Sequence, residues 1–179
     1  MKSNLDIARK IAEKVHLEPN EKYPKGQTDK KKFPYMAHIL DVALRVAHLG
    51  ETFEVVGLLH DAIEDAEPED FKKEITELIE TSFSKEIVLA IKAMSKRQGE
   101  DYFEDYLPRL KENKIATQVK IADSSHNLSK AHLFDEILKQ EELRNKYIKV
   151  LNELGEDGRS CEKPLVYSYS EKKWMVKIP

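Results

Sequence analysis

In the run LLHDAIED, residues 58–65, two pairs of ionisable side chains lie four residues apart: His60 with Glu64, and Asp61 with Asp65. Wound at about 100° per residue, His60, Asp61, Glu64 and Asp65 share most of one arc, and Val55, Val56, Leu58, Leu59, Ala62 and Ile63 fill the other. An imidazole and three carboxylates projecting together can ligate a divalent metal, position a water or move protons. The same arc is what the solvated side of an amphipathic helix looks like. The chemical reading therefore needs partners from elsewhere in the chain.

Asp123 is one such partner, because it falls within the arc of Ile115, Ala116, Val119, Ala122 and Leu133, which should face a core. A carboxylate there is costly unless it is paired with Lys or Arg, neutralised or bound to metal. Asn127, four residues later, could hydrogen-bond a ligand that reaches Asp123, or it is an ordinary surface amide. His38 stands at the edge of the apolar face of its own helix, where a hydrogen-bonded core histidine is the alternative. Together His38, His60, Asp61 and Asp123 offer two imidazoles and two carboxylates from three helices. That set suits Mn²⁺, Fe²⁺, Co²⁺, Ni²⁺ or Zn²⁺ better than Ca²⁺ and leaves positions open for water or substrate. His126 shares the face of Asp123, as a supporting group or a core histidine. His16, His48 and His132 receive no catalytic role.

The elements that must position these residues are helical. Apolar residues recur at spacings of three and four as far as about residue 154, which predicts an all-α fold. Helices are expected near 4–15, 35–49, 52–65, 68–81, 84–94, 100–113, 115–133 and 139–154. The second starts after Pro34 and stops at Gly50, residue types that suit those two ends. Glu18–Phe33 has no apolar period and reads as a long loop. After Gly158, the alternation in LVYSYSEKKWMVKI predicts a short terminal β-hairpin. The expected organisation is one helical bundle, residues 1–155, followed by a tail, residues 156–179.

Composition narrows the function classes. The 179 residues carry a net charge of −3, so binding to nucleic acid would need a local basic patch, and none is large enough. The single cysteine, Cys161, excludes an internal disulfide and any multi-cysteine zinc site. No stretch is apolar enough for a membrane span or a signal peptide, so a cytoplasmic location is expected.

The words GQTDKKKFPYMAHI, LLHDAIED, AMSKRQGEDYFEDYLPRL and VKIADSSHNLS, in that order, resemble the HD hydrolase of RelA/SpoT-type proteins in its stand-alone small alarmone hydrolase form. The resemblance covers roughly residues 5–150. It implies an HD helical bundle in which His38, His60, Asp61 and Asp123 hold a metal, usually Mn²⁺, and Glu64 and Asp65 form the catalytic acidic pair. It implies a nucleotide substrate, a guanosine tetra- or pentaphosphate alarmone, whose 3′ pyrophosphate is hydrolysed to leave GDP or GTP. Lys30, Lys31, Lys32, Lys96 and Arg97 would then meet phosphates, Asn127 the ribose, and Tyr147 the nucleotide.

The sequence departs from the family at TDKKKFPY, where an arginine-rich segment and Gly-Thr are usual, and at YMAH. The arginine that usually packs on guanine has no clear counterpart. Two other readings stay open: an HD phosphohydrolase acting on a nucleoside monophosphate or related phosphate ester, and a catalytically silent nucleotide-binding or partner-binding domain.

Overall fold

Ser3 opens the first helix, α1 (Asn4–His16), because its hydroxyl accepts from the Asp6 N–H while the Asp6 carboxylate accepts from the Ser3 N–H, a capping box. The computed structural model describes residues 3–18, 34–134, 136–159, 165–168 and 173–176. Further helices follow as α2 (Met36–Val46), α3 (Glu51–Leu59), α4 (Ala62–Asp65), α5 (Glu69–Ser82), α6 (Lys85–Met94), α7 (Leu107–Lys111), α8 (Lys114–Lys130) and α9 (Ile137–Glu153). The fold is all-α, with helix bounds close to those the apolar period predicts. Two paired segments, β1 (Leu165–Ser168) and β2 (Lys173–Val176), run antiparallel, with Leu165 opposite Val176 and Ser168 opposite Lys173. The turn of the expected hairpin, residues 169–172, lies outside the described residues, as does most of the expected loop up to Phe33.

The chain divides into two compact units, residues 1–122 and residues 123–179. In the first, α3 is the central element and packs against α1, α2 and α6. Its Val55, Val56, Leu58 and Leu59 are buried, as are Ile39, Val42 and Val46 of α2, Ile11 and Val15 of α1, and Ile91 of α6. Burying a side chain of this size contributes about 1.5–3 kcal/mol, so this apolar seam dominates the stability of the unit. In the second unit, α9 packs on the short turn of 3₁₀ helix at Ala131–Leu133, and Leu128, Ala131, Val150, Leu151 and Leu154 are buried.

Three places differ from the sequence reading. The expected helix over 52–65 is broken, because His60 and Asp61 form a turn between α3 and α4. The His60 ring supplies a physical reason: its Nδ1 lies 2.8 Å from the Gly57 carbonyl, the group that a continuous helix would offer to the Asp61 N–H. The expected helix over 100–113 begins instead with one π-helical turn at Tyr102–Tyr106, in which the Tyr106 N–H donates to the Asp101 carbonyl at 2.9 Å. Pro108 follows at the start of α7 and has no N–H to continue the regular ladder. Leu133, placed by the sequence reading on a core-facing arc, is exposed because it lies in the 3₁₀ turn beyond α8.

Candidate metal centre

Gly57 of α3 lies so close to α2 that a Cβ built on it would come within 2.7 Å of the Ala43 Cα. Only glycine permits this approach, and the approach is what lets side chains one turn further along the two helices meet. His38 of α2 and His60, just past α3, turn their Nε2 atoms toward each other at 3.2 Å. Asp61 completes a triangle, its Oδ2 lying 3.1 Å from His60 Nε2 and 3.8 Å from His38 Nε2. Among the described residues, these three form the group of His, Cys, Asp and Glu whose donor atoms could hold one ion.

The protonation pattern fits that use. A backbone carbonyl can only accept, so the short contact to Gly57 makes His60 Nδ1 the donor and leaves a lone pair on Nε2 in the neutral ring. That lone pair faces the other imidazole and a carboxylate, an arrangement that is stable with a cation or a proton among the three atoms. Two donors each about 2.1 Å from one ion and about 90–110° apart lie about 3.0–3.4 Å from each other, which matches the two shorter edges of the triangle. His60 is fully buried and His38 nearly so, whereas Asp61 keeps one side open. The arc read from sequence as a possible solvated face is mixed: His60 is fully buried, Asp61 and Asp65 are half-buried, and Glu64 is exposed.

Tyr35, at the start of α2 and given no role by the sequence reading, donates its hydroxyl to Asp61 Oδ2 at 2.7 Å. Its ring also links two histidines, with centroids 5.4 Å from His16 and 5.1 Å from His38. His16, given no role from sequence, is completely buried in the last turn of α1, with Nδ1 3.7 Å from Asp65 Oδ2. Nothing in the local sequence around His16 signals this, because the contact joins residues 49 positions apart.

Glu64 retains solvent access, but the protein packed around it still raises its carboxyl above the ordinary range. Desolvation is the largest cause, followed by the negative charge of Asp61; the Lys120 ammonium and a hydrogen bond from the Lys96 main-chain N–H oppose the shift. Glu64 thus sits one helical turn from the triad with a raised proton affinity. Asp65 is half-buried beside His16.

Asp123, Asn127 and Tyr147 belong to the second unit. Asp123 is buried, and the Asn127 amide donates to its Oδ1 at 2.6 Å. Asn127 thus holds a carboxylate rather than standing as a surface amide. His126 is buried, whereas His48 and His132 are exposed. Tyr147 is half-buried in α9. Lys96 and Arg97 are exposed in the turn after α6. Lys30, Lys31 and Lys32 lie outside the described residues.

No family model and no curated protein matches the chain. Among solved structures, it is similar to one described as a metazoan ortholog of SpoT that hydrolyzes ppGpp and plays a role in starvation responses, at a TM-score of 0.68 and 16% sequence identity over 90% of this chain and 91% of that one. The two chains share a fold. No helix among the described residues is long and apolar enough to cross a membrane.

Proposed function

We propose that the protein is a metal-dependent phosphohydrolase that removes the 3′ pyrophosphate from guanosine tetra- or pentaphosphate alarmones, leaving GDP or GTP. The observation that carries this reading is the His38–His60–Asp61 triangle, whose donor atoms and spacing suit a divalent first-row ion, in a fold shared with a protein described as hydrolysing ppGpp. Asp123 is the fourth ligand in this reading, supported by its burial and by its position in the VKIADSSHNLS segment.

A bound divalent ion, Mn²⁺ by family resemblance, would make a water acidic and polarise a phosphate oxygen. The residues of the chain do the rest. His60 is held in the metal-ready tautomer by the Gly57 carbonyl, and Asp61 is oriented by the Tyr35 hydroxyl. Glu64 and Asp65 form the acidic pair: Glu64, with its raised proton affinity, takes a proton from the attacking water, and Asp65 orients that water while being held by His16. Water adds to phosphorus, the bond to the 3′ oxygen breaks with its electron pair going to that oxygen, the proton held by Glu64 passes to it to give the 3′ hydroxyl of GDP or GTP, and pyrophosphate is released. Lys96 and Arg97 neutralise phosphate charge, together with Lys30, Lys31 and Lys32; Asn127 and Tyr147 contact ribose and nucleotide.

The test is release of pyrophosphate from guanosine 3′,5′-bis(diphosphate) by the purified protein, with and without Mn²⁺, beside a panel of nucleoside monophosphates. Metal-dependent formation of GDP and pyrophosphate is expected. The TDKKKFPY departure favours a second reading, an HD phosphohydrolase for another nucleotide, and activity confined to a monophosphate would establish it. Inertness on every substrate in the presence of bound metal would leave a silent binding domain.

A further inference from the structure

The turn that carries Lys96 and Arg97 is fastened from several sides. Glu100 and Arg109 form a paired ionic hydrogen bond, with Arg109 Nε 2.7 Å from Glu100 Oε1 and Nη2 2.8 Å from Oε2. Their side chains are only 13% and 19% exposed, so this is not a loose surface pair. The remaining guanidinium donors go to the end of α6, Nη1 to the Ala93 carbonyl at 3.4 Å and Nη2 to the Ser95 carbonyl at 3.0 Å. Glu100 also accepts from the Arg97 N–H at 2.8 Å. Gly99 adopts a φ of +83° that closes the turn, and Asp101 caps the π-helical turn by accepting from Phe103 and Glu104. Tyr106, over whose ring the Arg109 guanidinium lies at 5.6 Å, donates to the Met94 carbonyl at 2.6 Å.

One product of this fastening is chemical. The Lys96 main chain is among the groups that act on the Glu64 carboxylate of α4, opposing the rise in its proton affinity. We propose that Glu100 and Arg109 are positioning residues for the hydrolysis proposed above: their double hydrogen bond fixes the Ser95–Asp101 turn, which keeps the Lys96 main chain beside Glu64 and gives the Lys96 and Arg97 cations a rigid backbone from which to meet phosphate. Without the pair the turn would have to be ordered at each binding event, at a cost in affinity. Neither residue touches substrate or metal in this scheme. The inference rests on the phosphohydrolase reading for its kinetic consequence and on the turn alone for its structural one.

The experiment compares wild type with E100Q and R109K by two readouts. Amide hydrogen exchange at Lys96 and Arg97 reports on the turn with no substrate present, and both variants are expected to lose protection there by about tenfold or more, with α1 and α3 unchanged. Steady-state hydrolysis of guanosine 3′,5′-bis(diphosphate) with Mn²⁺ is expected to show a kcat lower by about tenfold and a raised KM, while the affinity for Mn²⁺ alone, by titration calorimetry, stays within about twofold. Unchanged exchange at Lys96 in both variants overturns the proposal, and so do wild-type kcat and KM in variants whose turn has loosened. A wild-type protein that binds Mn²⁺ but releases no pyrophosphate overturns the alarmone reading and with it the kinetic half of this one, while the exchange rates decide the turn.

Discussion

His38 of α2 and His60, just past the end of α3, bring their Nε2 atoms to 3.2 Å, and the contact exists because Gly57 lets α3 press against Ala43 of α2. The metal-ligand geometry is thus set by a helix–helix approach distance as much as by the ligands themselves.

Gly57→Ala puts a methyl group where the Ala43 Cα already stands 2.7 Å from the Cβ position, so the helices must separate. We expect a loss of about 1–3 kcal/mol in urea unfolding. Mn²⁺ affinity should fall with it, because His38 and His60 move apart. A variant of wild-type stability and Mn²⁺ affinity would contradict the packing account.

Asp61→Ala removes one corner of the triangle while leaving α3 and its buried face intact. Calorimetric titration should show no Mn²⁺ binding, turnover should disappear, and helix content by circular dichroism should be preserved. Residual activity that persists with a chelator present would sink the metal mechanism.

Tyr35→Phe deletes the hydroxyl that orients Asp61 and little else. Outer partners of metal ligands are commonly worth about 10–100-fold in affinity or activity, and an effect in that range is expected on Mn²⁺ binding. Tyr35 is structural filler if affinity and rate both stay at wild-type values.

Glu64→Gln keeps the side-chain volume and removes the proton acceptor. Mn²⁺ binding should be retained and kcat should fall by about 10²–10⁴, the usual worth of a general base. An unaltered rate takes Glu64 out of the mechanism.

Stability toward acid has a contribution from Glu100. The Arg109 hydrogen bonds, with help from the Arg97 N–H and both positive charges, lower its carboxyl from 4.5 to about 2. A carboxyl with a depressed folded value favours folding above its unfolded value, so this contribution is full above about pH 4.5 and is lost as pH falls toward about 2. The melting-temperature difference between wild type and E100Q should therefore shrink across that window, and a difference independent of pH would show that the charge of Glu100 is not what matters.

Much of the scaffold was legible in the chain. The recurrence of apolar residues at three and four positions fixes helices such as α1, α5, α6 and α9, because an amphipathic helix must place its apolar stripe on one side whatever it packs against. LLHDAIED likewise declared an imidazole and three carboxylates within two turns, and Asp123 stood out as a carboxylate among apolar neighbours; its burial and its bond from Asn127 agree with that reading.

What periodicity cannot encode is which side chains from distant segments meet. It assigned His60 to a polar arc, whereas packing of α3 against α1, α2 and α6 buries that ring completely and turns it onto Gly57. It passed over Tyr35 and His16, whose roles come from contacts to Asp61 and Asp65 some 26 and 49 residues away in the chain. It read 100–113 as one helix and gave Arg109 no task, because the π-helical turn and the ionic clasp on Glu100 arise only once α7 is laid against the end of α6. The sequence by itself determined the helices and the supply of chemical groups, since both follow from local residue type and spacing. The tertiary structure alone decided the triangle of His38, His60 and Asp61 and the groups that orient it, since donor spacing near 3 Å depends on how closely two helices approach.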